Sequence, residues 1–194
     1  MSGVLYDIGA NVGTYSIYAG LNDIEVYAFE PEAQNYALLN QNIILNKLVN
    51  VHAFCIALWD EQKLDYLNLS TTEVGGSLHS FSEELDYKLE EFEPVFKQGC
   101  IGMPLDAIEL PLPDHIKIDV DGFEHLVVKG GEETIKQAKS VLVELNRNVK
   151  EHVDLIDWFL MRGFEYDEGL ADDSLRIEGA MAGVGNIIFT KLGN

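Results

Sequence analysis

Short apolar runs alternate with stretches of helical periodicity along most of this chain. That alternation confines it to an α/β class fold, a mainly parallel sheet covered by helices on both faces. The runs fall at residues 4–8, 25–29, 51–58, 115–120 and 140–145. Helical patterns follow at 14–21, from Pro31 onward, at 123–129, and over a segment with apolar Val153, Ile156, Phe159 and Leu160. After Pro31, Ala33, Tyr36, Leu39 and Ile43 recur at three- and four-residue spacing, which predicts one buried helix face.

Two stretches break the alternation. Residues 61–110 do not read as one crossover helix, because 63–69 alternates like a strand and 99–105 reads as another. Between those strands, 82–96 is strongly acidic, with Leu85, Leu89, Phe92 and Phe96 at helical spacing; helix and loop are both open there. At the other end, 164–166 and 185–191 read as two strands with no helix between them, an antiparallel hairpin closing the sheet. Residues 1–194 are therefore expected to form a single domain with an inserted sub-structure at about 61–110. Cys55, within the apolar run VHAFCIAL, is expected to be a buried reduced thiol.

The most informative segment is Asp7-Ile8-Gly9-Ala10-Asn11-Val12-Gly13, which leaves a strand and opens a helix. Gly9 permits a sharp turn, and Gly13 removes a side chain where a ligand or strand approaches the helix start. Glu30 ends the second strand about 20 residues further on, where a carboxylate can accept hydrogen bonds from both hydroxyls of an adenosine ribose. A dinucleotide fingerprint needs glycine where this chain has Asn11 and Thr14, which disfavours the alternative of an NAD-dependent oxidoreductase. A ligand without phosphates fits better, namely S-adenosyl-L-methionine, whose cationic sulfonium and amino group suit Asp7 and acidic surroundings.

The blocks DIGANVGTYS, VYAFEPEAQNYALLNQNIILN, CIALWD and HIKIDVDGFEHLVVKGGEETIKQAKSVLVELN, in this order, resemble those of the FkbM-type methyltransferases. The resemblance implies a class I SAM-methyltransferase (Rossmann-like) three-layer sandwich, with seven strands and an antiparallel last one. It implies that Asp7, Gly9, Asn11 and Gly13 line the methionine end of the cofactor, that Glu30 and Pro31 lie at the ribose, and that Ala57 to Asp60 lie near the adenine. It also implies O-methylation of a hydroxyl on a small-molecule or sugar-like acceptor. Two departures stand out. Asp121 occupies a position that more often holds Glu, and the helical segment that usually precedes the first strand is missing, which raises the alternative of a catalytically silent cofactor-binding or interaction module.

Ligands of open α/β sheets bind at the carboxyl ends of the strands. Asp119, Asp121, Glu124, His125 and Glu144 all fall at that edge. Asp119, His125 and Glu144 are the candidates for handling the acceptor proton, and His125 is the histidine placed to act as a base near neutral pH. Magnesium held by Asp119, Asp121 and Glu144 is an alternative, although no resident metal is expected. The net charge is -20, with 13 Lys+Arg scattered among 33 Asp+Glu, which argues against nucleic acid or an anionic membrane as partner. Without an 18-residue apolar run or a basic leader, a cytoplasmic protein is expected, and self-association is left open.

Overall fold

The computed structural model describes residues 3–193. In chain order the first half contains β1 (Val4–Ile8), α1 (Thr14–Leu21), β2 (Glu25–Phe29), α2 (Ala33–Leu45), β3 (Val51–Phe54), β4 (Ala57–Leu58), β5 (Lys63–Leu69), β6 (Ser80–Phe81) and β7 (Phe96–Met103). The second half contains β8 (His115–Ile118), α3 (Glu124–Gly130), α4 (Glu132–Ile135), β9 (Ser140–Asn146), α5 (Lys150–Met161), β10 (Phe164–Glu165), α6 (Glu168–Asp173) and β11 (Val184–Lys191). Seven strands form the main sheet in the order β10-β11-β9-β8-β1-β2-β3. All its neighbours pair in parallel except β11, which runs antiparallel to both β9 and β10.

Alternate side chains of each central strand serve opposite layers. On β2, Val26 and Ala28 join Leu39 and Ile43 of α2, while Tyr27 and Phe29 join the larger core with Val127, Phe159 and Phe189. The turn out of β1 needs glycine twice. A Cβ on Gly9 (φ +73°) would lie 1.8 Å from the Asp119 carbonyl oxygen, and one on Gly13 (φ +94°) 2.4 Å from Leu39 Cδ1. Packing of β8 and α2 against the loop therefore fixes these residues.

Several expectations are corrected. The run 51–58 is two strands: the chain leaves the main sheet after Phe54, and Ala57–Leu58 pairs with β7 in a second sheet of order β4-β7-β5-β6. Cys55 lies in the gap and is exposed, so it is not a buried thiol. Residues 82–96 contain no helix. Asp86 Oδ1 accepts from the N–H groups of Lys88 (2.8 Å) and Glu90 (3.1 Å), a local competitor to helix formation, and Leu85 bridges Glu91 instead. A short helix, α6, does separate the late strands. The buried stripe of α5 is His152, Leu155 and Phe159, whereas Val153 and Leu160 are exposed. Likewise Asn35, not Ala33, joins Leu39 and Ile43 on the buried side of α2. Among the described residues no helix is long and apolar enough to cross a membrane.

Phe159 is fully buried, with its ring stacked on Phe189 at 4.2 Å and edge-on to Phe164 at 5.4 Å. Phe159→Ala is expected to lower stability by about 3–5 kcal/mol, read as a shift in the urea unfolding midpoint without a change in slope.

Candidate active site

A cleft of about 760 Å³, counting its part open to solvent, lies at the carboxyl ends of β1, β2 and β8. Gly9, Asn11, Glu30, Pro31, Ala57 and Asp119 line it. Asn11 has φ 51°, in the left-handed region that favours glycine, and its Oδ1 accepts from Val12 N at 2.7 Å. Asparagine is the side chain that tolerates this backbone while stabilising its own turn.

Glu30 is buried on the wall, with Oε2 accepting from Asn11 N (2.8 Å) and Oε1 from Glu32 N (2.9 Å). Burial pushes its pKa up to about 7 against the lowering effect of those two N–H groups. Each oxygen retains acceptor capacity toward the cleft, as recognition of two vicinal hydroxyls requires.

Beneath the loop lies Lys117, a buried cation that the sequence reading overlooked. Its Nζ donates to Gly9 O at 2.8 Å and sits 3.5 Å from Asp7 Oδ1 and 3.4 Å from Asp119 Oδ2. Burial works against the charged form, but Asp7 and Asp119 outweigh it and hold the Lys117 pKa above its ordinary value. Asp7 is wholly buried, accepts from Ser16 Oγ at 2.6 Å, and is absent from the cleft wall. Gly13 also lies behind the wall, against Leu39. Asp60 follows wall residue Trp59 and pairs with Lys129 at 2.7 Å.

The far wall comes from the second sheet and the β8–α3 turn. Trp59, Phe81 and Phe123 form an aromatic recess with ring separations of 5.3 and 5.4 Å. Asp121 faces the cleft in the left-handed region (φ 58°), and burial plus the nearby Asp119 raise its pKa to about 7. His125 is not on this wall: its ring stacks on Phe123 at 6.3 Å, and its buried Nδ1 has no hydrogen-bond partner among the described residues. Glu144 lines an adjoining small cavity with Asp121 and pairs with Arg176 at 3.0 Å. Of the three proton-handling candidates, the structure thus brings only Asp119 to the cleft. Among the described residues no three His, Cys, Asp or Glu group closely enough to hold a metal ion.

The strand order, the antiparallel β11, the loop after β1 and the acid ending β2 together define a class I S-adenosylmethionine-dependent methyltransferase fold, whose cofactor is S-adenosyl-L-methionine. The chain belongs to the FkbM methyltransferase domain family, whose sequence profile matches residues 7–166. It is similar to the methyltransferase FkbM from Methylobacillus flagellatus KT (TM-score 0.64, 15% identity), covering 98% of this chain and only 44% of that longer one. It is also similar to an rRNA methylase from Streptococcus thermophilus (TM-score 0.57, 10% identity, 98% of this chain and 87% of that one). A third similar structure is TYW2 from M. jannaschii, in complex with AdoMet (TM-score 0.50, 16% identity, 98% and 70%). No curated protein matches the chain in sequence. Because the fold is shared with a protein named as an rRNA methylase, the exclusion of nucleic acid on charge is not supported by the fold.

Two expectations follow. Lys117→Met leaves the buried Asp7 carboxylate without its counter-charge and should cost about 3 kcal/mol or more in urea unfolding. Glu30 titrates at about 7 when folded and at about 4.5 in its unshifted form, so its contribution to stability is full below the lower value and lost as pH rises through the higher. The melting temperature of the unliganded protein should therefore fall from about pH 5 to about pH 8, and Glu30→Gln should make that fall shallower.

Proposed function

We propose that this protein is an S-adenosylmethionine-dependent O-methyltransferase acting on a hydroxyl of a small, sugar-like acceptor. The supporting observation is the make-up of the cleft wall. Glu30, Asp119 and Asp121 stand among apolar and aromatic side chains, and no Lys or Arg lines the cleft among the described residues. A wall without cations suits a neutral acceptor better than a phosphorylated one or a nucleic-acid backbone.

Bound S-adenosylmethionine supplies an activated methyl group for in-line displacement. In this reading Glu30 accepts from the ribose hydroxyls, and Gly9 and Asn11, both on the cleft wall, face the methionine end. The recess of Trp59, Phe81 and Phe123 excludes water and offers aromatic faces to apolar parts of the ligands. Asp119, oriented by Lys117 at 3.4 Å, would take the proton that the acceptor hydroxyl loses. Positioning supplies most of the acceleration, since no covalent enzyme intermediate is needed.

Calorimetry with S-adenosylhomocysteine tests the cofactor half: the parent should bind, and Glu30→Ala should bind about 100-fold more weakly, as expected for two lost charge-assisted hydrogen bonds. Absence of binding to the parent at millimolar ligand overturns the reading. Transfer of labelled methyl from S-adenosylmethionine should occur with glycosylated or polyhydroxylated small molecules. Label appearing instead in ribosomal or transfer RNA overturns the acceptor assignment.

A further inference from the structure

The loop Gly75–His79 contributes Gly76, Ser77 and His79 to the wall of the cleft. Three side chains from the main domain pin it. The Gly76 carbonyl accepts from Asn11 Nδ2 and from Asn35 Nδ2, each at 3.0 Å. Asn35 Oδ1 accepts in turn from Gly75 N at 2.7 Å, so one buried amide grips this peptide with both ends. At the far end, Leu78 N donates to Asp121 Oδ2 at 2.6 Å. Leu78 (φ 64°) and Asp121 (φ 58°) are both in the left-handed region, which side chains seldom adopt. Such a pair persists only where the surroundings over-determine it.

What over-determines Asp121 is a buried pair behind it. Glu124 caps the turn, accepting from Val120 N at 3.0 Å and from Gly122 N at 3.2 Å. His152, from α5, places Nε2 at 2.9 Å from the Gly122 carbonyl and 3.1 Å from Glu124 Oε2. Its Nδ1 accepts from Asn146 N at 2.9 Å, which assigns the ring proton to Nε2. The imidazole thus ties the end of β9 to the turn that carries Asp121, although its ring never reaches the cleft.

We propose that His152 is a positioning residue which, through Glu124 and the Gly122 carbonyl, holds Asp121 in place to latch the Gly75–His79 strap onto the wall of the cofactor cleft. The latch rests on geometry within the protein itself, and only its effect on ligand release rests on the methyltransferase reading.

Hydrogen exchange of the Leu78 amide in the unliganded full chain reads the latch directly. His152→Asn keeps an oxygen near the place of Nδ1 and loses the reach to Glu124; His152→Gln carries an N–H to the place of Nε2. Leu78 exchange should quicken about tenfold in His152→Asn and in Asp121→Ala, as for one lost hydrogen bond to a charged group, and change by less than about threefold in His152→Gln. Adding His152→Asn to Asp121→Ala should change Leu78 no further, because both act through one contact. Equal acceleration at Leu78 and throughout β8 and β9 in His152→Asn shows a merely structural role and overturns the proposal, as does unchanged Leu78 exchange in Asp121→Ala. Where the parent binds S-adenosylhomocysteine, its release followed by Trp59 fluorescence should also quicken about tenfold in Asp121→Ala. A parent that binds none sinks the methyltransferase reading and leaves the exchange result to judge the latch.

Discussion

The buried ammonium of Lys117 is the contact on which the cofactor edge of the sheet depends. In the parallel register it sits opposite Asp7, so β1 and β8 bring a carboxylate and a cation side by side in the interior. Either charge alone is expensive there; together, with Asp119 beside them, they are compensated. The third Lys117 contact reaches the Gly9 carbonyl, and Gly9 leads to Asn11, whose N–H is held by Glu30. One ion cluster therefore sets the spacing of three neighbouring strand ends and the course of the loop between two of them. The ring of Tyr15 lies 5.3 Å from the same ammonium and covers it from the α1 side.

The open side of the site is arranged differently. Glu30 and Asp121 are both kept near neutral-pH titration by burial, and each is held by backbone N–H groups rather than by a cation. An unliganded protein gains stability when such acids are protonated, whereas a carboxylate accepting from two hydroxyls does so best in its ionised form. The site thus carries a stability cost at neutral and higher pH, a pattern common where groups are poised for chemistry.

Much of the main sheet was legible because its strands are short apolar runs with a glycine turn or helical pattern after each. Glu30 was legible through its distance from Gly9. What escaped has specific physical reasons. Lys117 lies in the strand HIKI and reads as a solvent-facing residue, because its partner Asp7 is remote in sequence; the available signal was that a lysine inside a central parallel strand needs a buried counter-charge. His152 hid the register of α5, since a polar side chain at the start of a buried stripe shifts the apparent apolar face toward Val153 and Leu160. His125 looked better placed than His152 because it adjoins the Asp119–Gly122 turn, yet the helix turns its ring onto Phe123. The second sheet could not be read from periodicity, as β4 and β6 are two residues each and are defined by their partners.

The total charge of -20 is a poor guide to what enters the cleft. Each carboxylate around it has a local partner: Asp7 and Asp119 share Lys117, Glu144 has Arg176, Glu124 has His152, and Glu30 and Asp121 have backbone N–H groups. The acidic stretch around Glu83, Glu84, Glu91 and Glu93 borders a separate surface hollow. Screening over about 8 Å at physiological salt confines its field to that neighbourhood. The discriminating quantity is therefore the chemistry of the wall itself. Glu30, Asp119 and Asp121 offer acceptor oxygens along that wall, whereas the nearby cation, Lys117, is turned inward to serve the fold.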